Sequence, residues 1–247
     1  MKCKINPFIT KKNIKTILIS NKISDKLRLF ITNLNINIIE SVDNKSLPNP
    51  VSDHPDMSIH PINSNVFMVD VNVFSDYQDL LSNYPIDIIP SNDALGEMYP
   101  YDSLLNVSRI GNYFIHNNYT SDDLIRWFNN LKFEHLPVKQ GYSKCSTLIL
   151  NCDTIVTSDK GIHKAIISKG LNSYLIPPGG IELKGYDTGF IGGTGGMISP
   201  DTLLLSGDLE LYEHGEFLKI ILDDLKIKAV YPKDEKLVDL GSIILID

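Results

Sequence analysis

Apolar residues along this chain come in short runs, interrupted by polar turns at regular intervals. The clearest pair is T-I-L-I-S-N-K, 16–22, and T-I-V-T-S-D-K, 154–160. Each is a β-rich run stopped by a polar turn and followed by a helical stretch. Each helical stretch leads into a second apolar run, ending at Glu40 and at Pro177. Similar closing runs end at Pro90, Pro137 and Pro232. Five such units, spaced by roughly 40 to 55 residues, fall in the range that signals arrays, solenoids or propellers.

Each unit reads as strand, turn, strand, helix, strand. The opening strands are expected in D-H-P-D-M-S-I-H-P, near Tyr101-Asp102, in G-Y-S-K-C-S-T-L-I-L and in G-F-I-G-G-T-G-G-M-I. Ser75 is the expected N-cap of D-Y-Q-D-L-L, because its hydroxyl can take a free backbone N–H. One helix should present Ile125, Phe128 and Leu131 on a single face, and another Phe217, Ile221 and Leu225. A further helix is expected over Ile162 to Ile167. The C-terminal V-D-L-G-S-I-I-L-I-D looks like an opening strand with no unit after it. The N-terminal T-I-L-I-S looks like a second strand that lacks one. Pairing the two closes the ring and removes exposed sheet edges. The expected fold is therefore α/β: one domain, 1–247, forming a five-bladed α/β-propeller of ββαβ units with pseudo-fivefold symmetry, closed by the C-terminal strand. Its units are 239–247 with 1–50, 51–92, 99–138, 140–179 and 186–233.

This unit order resembles the guanidino-group-modifying enzyme superfamily: arginine deiminases, amidinotransferases and dimethylarginine dimethylaminohydrolases, with a non-enzymatic ribosome anti-association factor on the same fold. The resemblance implies reactive groups on the opening strands around a central channel. There a cysteine thiolate would attack an amidino carbon, a histidine would move protons and carboxylates would hold the guanidinium. The stretch matching the family's cysteine is Asp239-Leu240-Gly241-Ser242-Ile243, with Ser242 as its nearest hydroxyl. The stretch matching its histidine is Gln140 to Cys145, without histidine. Asp53 and Asp56 match the guanidinium-binding acids. The usual catalytic pair is missing, so standard deiminase chemistry is not expected.

On their own terms, Asp53, His54, Asp56 and His60 form the densest polar cluster. Strand alternation would put His54, Asp56, Ser58 and His60 on one face. Histidine and aspartate ligate divalent ions, but no third ligand set is visible, so no metal and no cofactor are expected. Cys145 is a candidate nucleophile with His54 or His60 as base, although strand alternation points it away from Lys144. Gly193, Thr194 and Gly195, in G-G-T-G-G, resemble a backbone cradle for an anion. Bare backbone required by crowding is the alternative. With Lys144, Asp102, Asp239 and Ser242 they complete a ligand-binding set for a small amino-acid-like or guanidino-like molecule. A protein-binding scaffold is the third reading.

A formal charge of −7 argues against nucleic acid and anionic membrane as partners. The Lys-rich 2–26 stretch reads as a solvated face. Cys3, Cys145 and Cys152 make no disulfide framework, and free thiols fit a cytosolic setting. The N-terminus lacks a signal-peptide core, and no apolar run nears the ~20 residues that span a bilayer. Oligomeric state is left open.

Overall fold

The computed structural model describes residues 6–246. Cys3 and the start of the Lys-rich stretch, Lys2 and Lys4, lie outside them. The chain folds as five three-stranded sheets. The first unit holds β1 (Thr16–Ile19), α1 (Asp25–Asn33) and β2 (Asn37–Glu40). The second holds α2 (Pro55–Ser58), β3 (Ile59–Pro61), β4 (Val66–Asp70), α3 (Phe74–Leu80) and β5 (Asp87–Ser91). The third holds β6 (Ser108–Ile110), β7 (Tyr113–His116), α4 (Asp122–Asn130) and β8 (Glu134–Pro137). The fourth holds β9 (Thr147–Ile149), β10 (Thr154–Thr157), α5 (Lys160–Ser168) and β11 (Asn172–Leu175). The fifth holds β12 (Gly195–Ser199), β13 (Thr202–Leu205), α6 (Gly215–Asp224) and β14 (Lys228–Val230), and β15 (Ile244–Ile246) follows. In every sheet the opening strand pairs antiparallel with the middle strand, which pairs parallel with the closing strand after the helix. β15 pairs antiparallel with β1 and is the opening strand of the first sheet.

The middle strands are apolar on both faces because each sheet has a neighbour on either side. Successive side chains alternate between those neighbours. Ile17 and Ile19 pack with Ile198 and Leu204 of the fifth unit. Leu18, between them, packs with Phe67 and Val69 of the second. Met68 turns the other way, toward Phe114 and Phe128. Ile115 meets Ile149 and Ile155, and Val156 meets Met197, Leu203 and Leu205.

Some local expectations are corrected. α3 starts one residue before Ser75, and its N-cap position is Val73, without a side-chain cap. A 3-10 turn over Val71–Val73 runs straight into this helix. α4 buries Leu124 and Phe128, while Leu131 is exposed. α6 buries Leu218, Ile221 and Leu222 and leaves Phe217 exposed. Cys152 is disulfide-bonded, which takes it out of the free-thiol argument; Cys145 is free and buried. No helix among the described residues is long and apolar enough to cross a membrane.

Candidate functional site before the opening strands

Strand register brings one position of each unit into correspondence. The third residue of each middle strand pairs with Ile244, His60, Ser108, Leu148 or Gly196. Two residues before each of these stand Ser242, Ser58, Asn106, Ser146 and Thr194, all small, hydrogen-bonding and buried. Three of the opening segments are turns at this point, where the sequence suggested strand. Pro55–Ser58 is a helical turn, 143–146 is a turn, and Ile191–Thr194 is a 3-10 turn. The alternation argument therefore fails. Lys144 and Cys145 enter one cluster, and Asp56 and His60 part company.

Asp56 is the hub. Its Oδ2 accepts from Ser242 Oγ at 2.5 Å, and both its oxygens lie 3.3 Å from Cys145 Sγ. Lys144 Nζ donates to Ser242 Oγ at 2.7 Å and to the Gly192 carbonyl at 3.4 Å. Asn106 ties the turn down: its Nδ2 donates to Cys145 Sγ at 3.1 Å, and its Oδ1 accepts from the N–H groups of Lys144 and Cys145. Gly241 and Ser242 both have positive φ, +68° and +67°. A Cβ on Gly241 would stand 2.3 Å from that of His54, so glycine is required there. All four side chains of the hub are buried. Burial pulls the Lys144 ammonium down, against the pull of Asp56, Cys145 and Asp239. Burial, then the charges of Asp56 and Asp239, push the Cys145 thiol well up.

The remaining predicted residues lie around this hub. Asp53 is not paired with Asp56; it bonds Ser20 and, at 2.5 Å, Lys22 Nζ. His54 is buried, with Nδ1 at 3.8 Å from Asp239 Oδ1. Asp239 accepts from the N–H groups of Phe190 and Gly241, and burial pushes its carboxyl up. His60 is wedged edge-on between the rings of Phe8 and Phe128, with Nδ1 at the Leu105 carbonyl. Asp102 bonds Tyr142 Oη at 2.5 Å, outside the hub. The glycines are crowded by the protein itself. A Cβ on Gly193 would stand 1.8 Å from Asp239 Oδ1, and one on Gly195 2.0 Å from the Leu204 carbonyl. Thr194 Oγ1 donates to the Ile191 carbonyl. Asn106 carried no sequence signal; the unit register is what would have found it.

The hub is filled. A surface depression of about 290 Å³ is lined by Lys22, Leu27, Glu235 and Leu240 among others. A crevice with no room for water continues from Leu27 and Leu240 to Gly193 and Ser242.

The chain is similar in fold to solved amidinotransferases and to a solved agmatine deiminase. SxtG, an amidinotransferase from Microseira wollei in the saxitoxin biosynthetic pathway, matches at TM-score 0.57 and 10% identity, over 94% of this chain and 92% of that one. Inosamine-phosphate amidinotransferase StrB1 from Streptomyces griseus matches at 0.61 and 11%, over 100% and 97%. C. jejuni agmatine deiminase matches at 0.56 and 9%, over 93% and 90%. The chain thus shares the fold of these guanidino-modifying enzymes. Residues 18–244 match the family described as "Family of unknown function (DUF6873)", and the chain belongs to it. No curated protein matches the sequence.

Proposed function

We propose that the hub binds a small guanidino-like or amino-acid-like ligand and acts on its C–N bond as a hydrolase or transferase, with Ser242 as nucleophile. The observation that carries this is the 2.5 Å bond from Ser242 Oγ to Asp56, with Lys144 Nζ at 2.7 Å from the same oxygen. The serine stands where the unit order puts the superfamily's cysteine. Asp56 takes the hydroxyl proton, Lys144 holds the oxygen as charge develops, and the oxygen attacks the amidino carbon. The C–N bond breaks, the proton passes to the leaving nitrogen, and water or an acceptor amine releases the enzyme. Cys145 is the alternative nucleophile; burial and the charges of Asp56 and Asp239 push its thiol well up. The test offers arginine, agmatine and their methylated forms, following ammonia release and the intact mass of the protein. Ser242→Ala should lose turnover by at least about 100-fold while keeping a cooperative melt, at a lower temperature because Lys144 and Asp56 lose a buried partner. Equal activity in Ser242→Ala and the parent sinks the reading.

A second reading has its own observation: the centre is filled, and Met98, Tyr99, Tyr101, Tyr119 and Tyr186 are exposed. A protein-binding scaffold needs no open centre. If no compound of the set shifts the melt, this reading takes precedence. We infer further that the chain is one domain, a closed five-bladed propeller with pseudo-fivefold symmetry. The pairing of β15 with β1 supports closure, as does the succession of clusters that joins each unit to the next. The disulfide at Cys152 weighs against the cytosolic setting that free thiols suggested.

A further inference from the structure

We infer that His54, Asp56 and Cys145 form a binding site for a divalent ion of the zinc type. The sequence displays the histidine and the aspartate but no third ligand. The fold supplies it from the fourth unit, 89 residues beyond Asp56. The three residues each offer one ligand atom, all lie within 4.8 Å of one another, and all are buried. Imidazole, carboxylate and thiolate are the donors that zinc takes, and three protein ligands with an open fourth position is its catalytic arrangement.

Three further observations support the inference. First, His54 Nδ1 is buried and has no hydrogen-bond partner, whereas buried polar atoms are ordinarily satisfied. Second, Cys145 Sγ lies 3.3 Å from each oxygen of Asp56. Tetrahedral bonds of about 2.3 Å to sulfur and about 2.1 Å to oxygen separate those atoms by about 3.6 Å, so the ion needs only a small widening. Third, the groups around the ligands hold them in place as outer partners of a metal site do. Ser242 donates to Asp56 Oδ2, and Asn106 Nδ2 donates to Cys145 Sγ. Lys144 points its ammonium at Ser242 and the Gly192 carbonyl.

On binding, the thiol S–H bond breaks, sulfur keeps the electron pair and bonds the ion, and the proton leaves to solvent. This inference does not depend on the serine chemistry proposed above.

The test strips the full chain with a chelator and titrates it with cobalt(II), then zinc(II). One ion per chain is expected, with a thiolate-to-cobalt charge-transfer band in the near ultraviolet that zinc abolishes. Cys145→Ala should lose the band, and His54→Ala should weaken binding by more than about tenfold. Ser242→Ala should keep the band even where turnover is lost, so the two readings fail separately. X-ray absorption at the zinc edge of the unmutated protein should show one sulfur at about 2.3 Å. That measurement stands even if a variant does not fold. A zinc-loaded protein without a sulfur neighbour, no uptake of either ion, or a cobalt band that survives in Cys145→Ala overturns the site.

Discussion

His116 has both ring nitrogens engaged, with Nε2 at 2.6 Å from the Gly141 carbonyl and Nδ1 at 2.9 Å from Thr120 Oγ1. Nε2 must donate to the carbonyl, so Nδ1 of the neutral ring accepts from the threonine. Burial pulls this imidazole down to about 4. The unfolded ring titrates near 6.5, so between those values the unfolded chain binds the extra proton. The stability that the neutral ring contributes is present above about 6.5 and is lost as pH falls toward 4, by ~3 kcal/mol. His60, also pulled well down by burial, acts in the same direction. Urea midpoints at pH 7 and 4.5 should therefore differ strongly in the parent protein and less in His116→Gln, which keeps a donor for Gly141. An identical acid slope in the two proteins contradicts this account. At the hub, Asp56, Lys144, Cys145 and Ser242 were legible as candidates because their chemistry shows in their residue types. Asn106 was not, because its role is set by partners 38 to 50 residues away. The pairing of Asp53 with Asp56 was misread for the same reason: Ser20 and Lys22 claim Asp53 from a different unit.

Helices show how far local pattern carries. The position and type of α4, α5 and α6 follow from runs of apolar residues, and their ends fall within a few residues of the expected ones. The buried face does not follow as closely. Ile125 and Leu124, or Phe217 and Leu218, are adjacent apolar residues about 100° apart around the axis. Only the neighbouring sheet decides which one is covered. Capping divides in the same way. Asp159 accepts from the Ile162 N–H at 2.7 Å and caps α5, whereas the expected cap Ser75 lies inside α3 and is exposed. Asp159→Ala should cost about 1 kcal/mol in urea unfolding. Ser75→Ala should stay within about 0.5 kcal/mol of the parent. Equal costs for the two would mean that cap geometry does not control these helix starts.

At the scale of the whole molecule, the repeat in the sequence and the hub have one cause. Five sheets packed side by side bury both faces of every middle strand, and the turns before the opening strands then bring Asp56, Asn106, Lys144, Cys145 and Ser242 into one hydrogen-bonded cluster. The closure proposed above rests on β15. Without it β1 loses its antiparallel partner, Ile244 leaves its packing with Phe67 and Val69, and Leu245 leaves its packing with Ile17 and Leu204. Ile243, Ile244, Leu245 and Ile246 are all buried, and each contributes roughly 1.5–3 kcal/mol by burial. Their sum is comparable to the ~5–15 kcal/mol that holds an ordinary domain together. A chain ending at Ser242 keeps every proposed hub residue yet should lose cooperative melting by circular dichroism, together with the cobalt band and any turnover. Melting within a few degrees of the full chain would show that the first sheet stands without its last strand, and that the ring is not what holds the hub together.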